Sequence, residues 1–271
     1  MAPGQTAVNT PRREGSRQIE CWMVDNGIWR QTVNNVPYEF VQAGGYFGPT
    51  FTAVFFFENV FWRVVIPRVY GAISVNTMAS LVAMPARLQQ RLMQNTCTRE
   101  AFVALWADSI DYDMGREYLM MQPHSDPASE LVTSIDRDLQ STIADLSQER
   151  PNSNAMHNAR MTTEKALKAF LCFRHGFTVG AVKKQFQHDL EKAAAEVVAR
   201  SPQSEMAQVQ PDIQGFAPYA DRYTDRQYSR PELWTAYRCA QFAASSLIRC
   251  LTPFNQRSAM VLAASPLTPD P

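Results

Sequence analysis

The run Asn158-Ala-Arg-Met-Thr-Thr-Glu-Lys-Ala-Leu-Lys-Ala-Phe-Leu-Cys-Phe-Arg174 constrains this chain more than any other, because its apolar residues recur on a helical period. Ala159, Ala166, Phe170 and Phe173 fall on one side, with Leu167 and Leu171 widening the stripe. Glu164, Lys165 and Lys168 occupy the other side, where Glu164 and Lys168 form an i,i+4 pair in the favourable order, so this face is expected to meet water. Arg174 and His175 place cationic groups beside the last carbonyls, and Gly176 tolerates the left-handed conformation that ends a helix. A second helix is expected from near Ala181 to Pro202, with Phe186, Leu190, Ala193, Ala194, Val197 and Val198 in register.

Three strings in this half, in this order and spacing, carry a resemblance: Glu164-Lys-Ala-Leu-Lys-Ala169, His188-Asp-Leu190 opening the next amphipathic run, and Arg222-Tyr223 before a final apolar helix. Together they resemble the HEPN domain, a helical bundle shared by prokaryotes and higher eukaryotes, over residues 126–253. The resemblance implies either a metal-independent ribonuclease, with an Arg followed four to six residues later by a His, or a non-catalytic nucleotide-binding module, in a defence or toxin–antitoxin setting. The histidines are His124, His157, His175 and His188. The positions four to six before His188 hold Val182, Lys183 and Lys184, Arg174 adjoins His175, and no His follows Arg222 or Arg226. The expected chain therefore lacks the usual Arg/His pair, and no catalytic residue is assigned. Lys183 or Lys184 with His188 is the degenerate substitute, and an ammonium clamps phosphate less well than a guanidinium.

At 271 residues and 45% hydrophobic content the chain can build two cored domains. Lys plus Arg equals Asp plus Glu at 26 each, so no global field points to nucleic acid or an anionic membrane. Cys21, Cys97, Cys172, Cys239 and Cys250 have no Cys-x-x-Cys spacing and read as reduced thiols of a cytoplasmic protein. Residues 1–17 are polar, without the apolar core of a secretory signal, and read as a disordered tail. The apolar run Phe51 to Val60 is interrupted by Glu58 and is too short to span a membrane.

From Gln18 to Ser74, aromatic and β-branched runs separated by Asn26-Gly27, Asn34-Asn35 and Gly44-Gly45 predict antiparallel strands. Among them are Thr52 to Phe57 and a long strand from Val60 to Val75 broken at Pro67. Gly44-Gly45-Tyr-Phe-Gly48 lacks the Lys-Ser/Thr ending of a phosphate loop. Helices are expected over Met78–Met93 and Arg99–Met120, the latter capped by Thr98. Asp108, Asp111, Asp113 and Glu117 read as a solvated acidic face, since they lack the spacing of a calcium loop; no metal site is assigned. Met121-Gln-Pro-His-Ser-Asp-Pro127 is the expected domain boundary. After it, a helix from Pro127 or Ala128 to Glu149 carries Leu131, Ile135, Leu139, Ile143 and Leu146.

The connection from Ser201 to Pro231 is too long for an ordinary helix hairpin and interleaves Tyr219, Arg222, Tyr223, Arg226, Tyr228 and Arg230. Aromatic and guanidinium groups so arranged stack a base and pair a phosphate, or pack back onto the bundle. Pro231 and Glu232 open the last helix, which runs to Leu251. The expected fold is α+β: a tail (1–17), an antiparallel sheet with two helices (18–122), an antiparallel four-helix bundle (126–253) and a flexible tail (254–271). The expected function is nucleotide or RNA binding through Lys184, His188, Arg222, Tyr223 and Arg226, without cofactor, leaning away from an enzyme. The alternatives are a protein–protein interaction or homodimerisation module built on the bundle, and a ribonuclease with a degenerate Lys/His site.

Overall fold

The structure, a computed structural model, describes residues 47–68, 77–121 and 128–258. The chain divides into two compact units, Met1–Thr50 with Pro67–Asn76, and Phe51–Ile66 with Thr77–Pro271. The described residues fall almost entirely in the second. The expected strands before residue 47, the Asn26-Gly27 hairpin and the prolines of residues 122–127 lie outside the described residues.

The described chain is mostly helical with one two-stranded antiparallel sheet, an α+β arrangement. Strand β1 (Phe47–Phe57) and strand β2 (Val60–Arg68) are joined by Glu58-Asn59. Both turn residues have positive φ, 53° and 58°, which is the two-residue hairpin whose twist matches that of the strands. Phe51, Ala53, Phe55, Val64 and Ile66 alternate onto the buried face.

A 3-10 turn (Thr77–Ser80) precedes helices α1 (Ala86–Gln94) and α2 (Thr96–Met121). The single helix expected over Met78–Met93 is divided, because Pro85 ends the irregular stretch and stands at the N-cap of α1. The cap of α2 is also not Thr98: the Asn95 side-chain oxygen accepts from the Thr98 N–H at 3.0 Å.

Helices α3 (Ser129–Leu146) and α4 (Asn154–His175) pack together, α4 lies along α7 (Arg230–Leu251), and α7 in turn lies along α2. Helices on both sides of residues 122–127 thus share one core, which differs from the expected division into domains 18–122 and 126–253. The Gly176 stop of α4 adopts the left-handed conformation at φ 69°. Ser229 and Glu232 form a reciprocal capping box at the start of α7, with Pro231 beside it.

The helix expected from Ala181 to Pro202 is two: α5 (Val179–Phe186) and α6 (Leu190–Arg200). The break falls at Gln187, whose φ of 44° and ψ of −114° no helix accommodates, and Asp189 restarts the chain by capping the Lys192 N–H at 2.9 Å. The connector from residue 201 to 229 is ordered into 3-10 segments, Glu205–Gly215 and Tyr219–Tyr223, and buries Met206, Val209, Ile213, Phe216 and Ala217.

The hairpin sits on α2 and α7 through aromatic contacts. Phe55 meets Phe102 at 5.2 Å and Trp234 at 5.5 Å between ring centroids, both edge-on, and Phe51 meets Tyr112 at 5.5 Å. The Val54 N–H donates to the Tyr237 hydroxyl at 3.3 Å. That hydroxyl opens a polar stripe at four-residue spacing down α7: Tyr237 donates to Gln241, Gln241 to Ser245, and Ser245 to the Asp108 carbonyl of α2.

The stripe ends at Arg249. The acidic residues of α2 are not a solvated face: Asp108, Asp111 and Asp113 are all buried. The Arg249 guanidinium donates to Asp108 at 2.8 Å, Asp111 at 3.2 Å and Glu205 at 2.7 Å, and Arg257 also donates to Asp108. Asp111 further accepts the backbone N–H groups of Gln256 and Arg257, which fixes the chain leaving α7. Asp113 takes Arg116 at 2.9 Å, and Arg116 reaches Asp136 of α3 at 2.8 Å. A helix with this many carboxylates can be buried because each lies within reach of a guanidinium on another turn or another element.

Candidate functional site

The expected site residues lie on the α5–α6 break and on the second half of the connector, and α4 supplies the groups that hold both. Arg160, Glu164 and Lys168 recur every four residues along one edge of α4. The expectation that Glu164 and Lys168 face water is overturned: their side chains are 3% and 6% exposed and pair at 2.6 Å. Lys165 is half-buried and paired with Asp138 of α3.

These three side chains clamp the break. Lys168 donates to the Gln187 carbonyl, and Arg160 donates to the carbonyls of His188 at 2.9 Å and Ala217 at 3.2 Å. The strained backbone at Gln187 is thereby over-determined by two buried-edge cations. The clamp presents His188, whose side chain is 48% exposed and whose Nδ1 stands 3.4 Å from the second oxygen of Glu164. The other oxygen of Glu164 is occupied by Lys168, so one buried carboxylate orients both the cation and the imidazole.

The His188 ring stacks on Tyr219, 4.0 Å between centroids and 5° from parallel. Arg222, one helical turn further along the connector, donates to the Tyr219 hydroxyl at 3.4 Å. A second histidine–tyrosine pair lies beyond it, with the His157 and Tyr228 rings edge-on at 6.0 Å. Arg226 stands over the Tyr228 ring at 5.1 Å and pairs with Asp221 at 2.8 Å. Burial and the nearby Arg222 hold the His157 imidazole below its ordinary range, Asp221 opposing them. The Tyr228 hydroxyl is buried and has no hydrogen-bond partner.

His188 stacks on Tyr219, to which Arg222 donates, Arg226 pairs with Asp221 of the same 3-10 segment, and Tyr223 on that segment is 79% exposed. Lys184 is exposed on α5 and takes no part in these contacts. The imidazole of His188 is engaged by Glu164 and Tyr219. Sequence reasoning missed His157, Arg160 and Glu164. The four-residue spacing of Arg160, Glu164 and Lys168 was the available signal, hidden because an i,i+4 ion pair looks the same exposed or buried.

Among the described residues no group of three or more His, Cys, Asp or Glu is arranged to hold a metal ion. Cys97, Cys239 and Cys250 form no disulfide, and burial pushes the Cys239 thiol up to about 12, far from a reactive thiolate. No helix among the described residues is long and apolar enough to cross a membrane. Compared with protein-family models, curated proteins and solved structures, the chain matches none.

Proposed function

We propose that residues 126–253 form a HEPN-like, non-catalytic nucleotide- or RNA-binding module, and that ligand lies along the arc of His188, Tyr219, Arg222, Tyr223 and Arg226. The observation that carries this reading is the linkage of His188, Tyr219 and Arg222, with Tyr223 turned to solvent beside them. Arg222 has donors left over after its single long bond to Tyr219, and guanidinium groups pair phosphate in forks. Tyr223 offers a free π-face, and stacking a base on such a ring contributes about 1–3 kcal/mol. Arg226 contributes less, because Asp221 already offsets its charge.

The test is equilibrium binding of a labelled RNA oligonucleotide across a salt series, with the Arg222→Ala and Tyr223→Ala proteins. Loss of one phosphate contact in Arg222→Ala lowers the log–log salt slope by about 0.7 for a single strand. Tyr223→Ala weakens binding and leaves the slope alone. Salt-independent binding, or no binding, removes the reading in favour of a protein–protein module.

A further inference from the structure

We infer that the break between α5 and α6 is a conformational joint with two states: a broken form held by α4, and a fused form in which residues 179–200 run as one helix and His188 turns away from α4 and the connector. Nothing in the local sequence demands a break. Residues 181–200 contain neither proline nor glycine, and Val182, Phe186, Leu190, Ala193 and Val197 are all buried and keep one helical period across it. Gln187 nevertheless holds φ 44° and ψ −114°, which a residue with a Cβ adopts only where its surroundings impose it.

What imposes it is an exchange of hydrogen bonds. In a continuous helix the carbonyls of Gln185, Gln187 and His188 accept from the N–H groups four residues further on. Here each accepts from a side-chain cation instead: Gln185 from Lys192 at 3.0 Å, Gln187 from Lys168, and His188 from Arg160 at 2.9 Å. The N–H groups of Asp189 and Lys192, freed from that role, go to the Phe186 carbonyl at 2.8 Å and the Asp189 side chain at 2.9 Å. Three charge-assisted bonds therefore stand against three backbone bonds and the strain at Gln187, opposing terms of the kind that leave two packings of one segment close in free energy.

The break also decides where His188 points. At about 100° per residue, position 188 lies about 200° round a continuous helix from Phe186 and from Leu190, opposite the buried face. The fused form sends the imidazole to solvent, whereas the broken form sets it 3.4 Å from Glu164 and stacks it on Tyr219. Arg160 grips the carbonyls of His188 and Ala217 together, so movement of the connector and fusion of the two helices bias one another. The joint rests on backbone geometry and stands whatever the arc binds.

The experiment is NMR of the full chain, reading the Cα shifts of residues 185–190 and the ring protons of His188. Gln187 and Lys192 are exposed, so substitutions there leave the core intact. Gln187→Gly takes the positive φ without strain, and is expected to keep non-helical shifts at the break and the upfield His188 protons of a stacked ring. Gln187→Ala with Lys192→Met opposes the positive φ and removes one of the three cations. Its Cα shifts should move towards helical values while the His188 protons return towards their ordinary positions. Gln187→Ala with Arg160→Met removes the grip on His188 and should complete both changes. If that second pair does not fold, the Lys192 pair decides by itself. Non-helical shifts at residues 185–190 in the Lys192 pair, or helical shifts with the His188 ring still stacked, overturn the inference.

Discussion

The imidazole of His188 lies parallel to the ring of Tyr219 at 4.0 Å, which ties the break between α5 and α6 to a connector segment that begins some thirty residues later in the chain. Because Glu164 orients the imidazole from behind, the stack is fixed on both sides. Tyr219→Leu removes the ring current and leaves the backbone clamp of Arg160 intact. The His188 ring protons are therefore expected upfield in the parent protein and near their ordinary shifts in Tyr219→Leu. Unchanged shifts would show that the two rings are not stacked in solution.

The Arg249 guanidinium serves two buried aspartates and Glu205, and its side chain is 3% exposed. Arg249→Met leaves Asp108 with Arg257 alone and Asp111 with two backbone donors. Removing one partner of a buried ion pair costs about 3–5 kcal/mol, so urea denaturation should show a loss of that order. A loss under about 1 kcal/mol, the range of exposed pairs, would place the network at the surface.

Burial raises the Asp111 carboxyl to about 6, although two backbone N–H groups and Arg249 pull the other way. The folded-state value lies above the unfolded one, so the folded protein binds the proton more readily. This group's contribution to stability therefore grows as pH falls from about 6 towards about 4, and is absent above that window. Comparing the parent with Asp111→Asn at both ends isolates it. The parent should gain on the variant by an amount on the order of 2 kcal/mol on acidification. A gap that is constant or moves the other way contradicts the burial of Asp111.

At Gly115, α2 lies close against α7. A Cβ there would stand 2.1 Å from Cγ2 of Ile248 and 3.0 Å from the Thr252 hydroxyl. Gly115→Ala gains about 1 kcal/mol of helix propensity and loses more to overpacking, which typically costs about 1–3 kcal/mol. The melting temperature should fall, and Ile248→Ala should recover part of that loss in the double variant. Additive effects would mean that the helices are not in contact at this point.

Ser229 accepts the Glu232 N–H while Glu232 accepts from both the Ser229 N–H and its hydroxyl. The same bonds hold the Glu232 carboxyl below its usual range. Ser229→Ala should cost about 1 kcal/mol of stability at neutral pH. That difference should shrink as acid protonates Glu232, which is measured by repeating thermal unfolding at low pH.

Much of the local structure was legible in the residues. The Gly176 stop, the Pro231 start of α7 with Glu232 in its first turn, and the stripe Leu131, Ile135, Leu139, Ile143 and Leu146 of α3 follow from capping chemistry and helical period. The hairpin turn at Glu58-Asn59 was not, because neither residue is glycine and its signal is weaker than that of Asn-Gly. The break at Gln187 was hidden for a related reason: the apolar period of Phe186, Leu190, Ala193 and Val197 continues across it, and only the cations of α4 make that backbone worth adopting.

The order of residues alone thus marked the long helices α2, α3, α4 and α7, and showed that the connector carries aromatic and guanidinium groups. Tertiary structure decided which charges are buried. Glu164 with Lys168, and Asp108 and Asp111 with Arg249, are i,i+4 and spaced acidic patterns that look like solvated faces until a helix distant in sequence covers them. A charge's partner is set by proximity in space, and periodicity reports only the side of its own helix on which it stands.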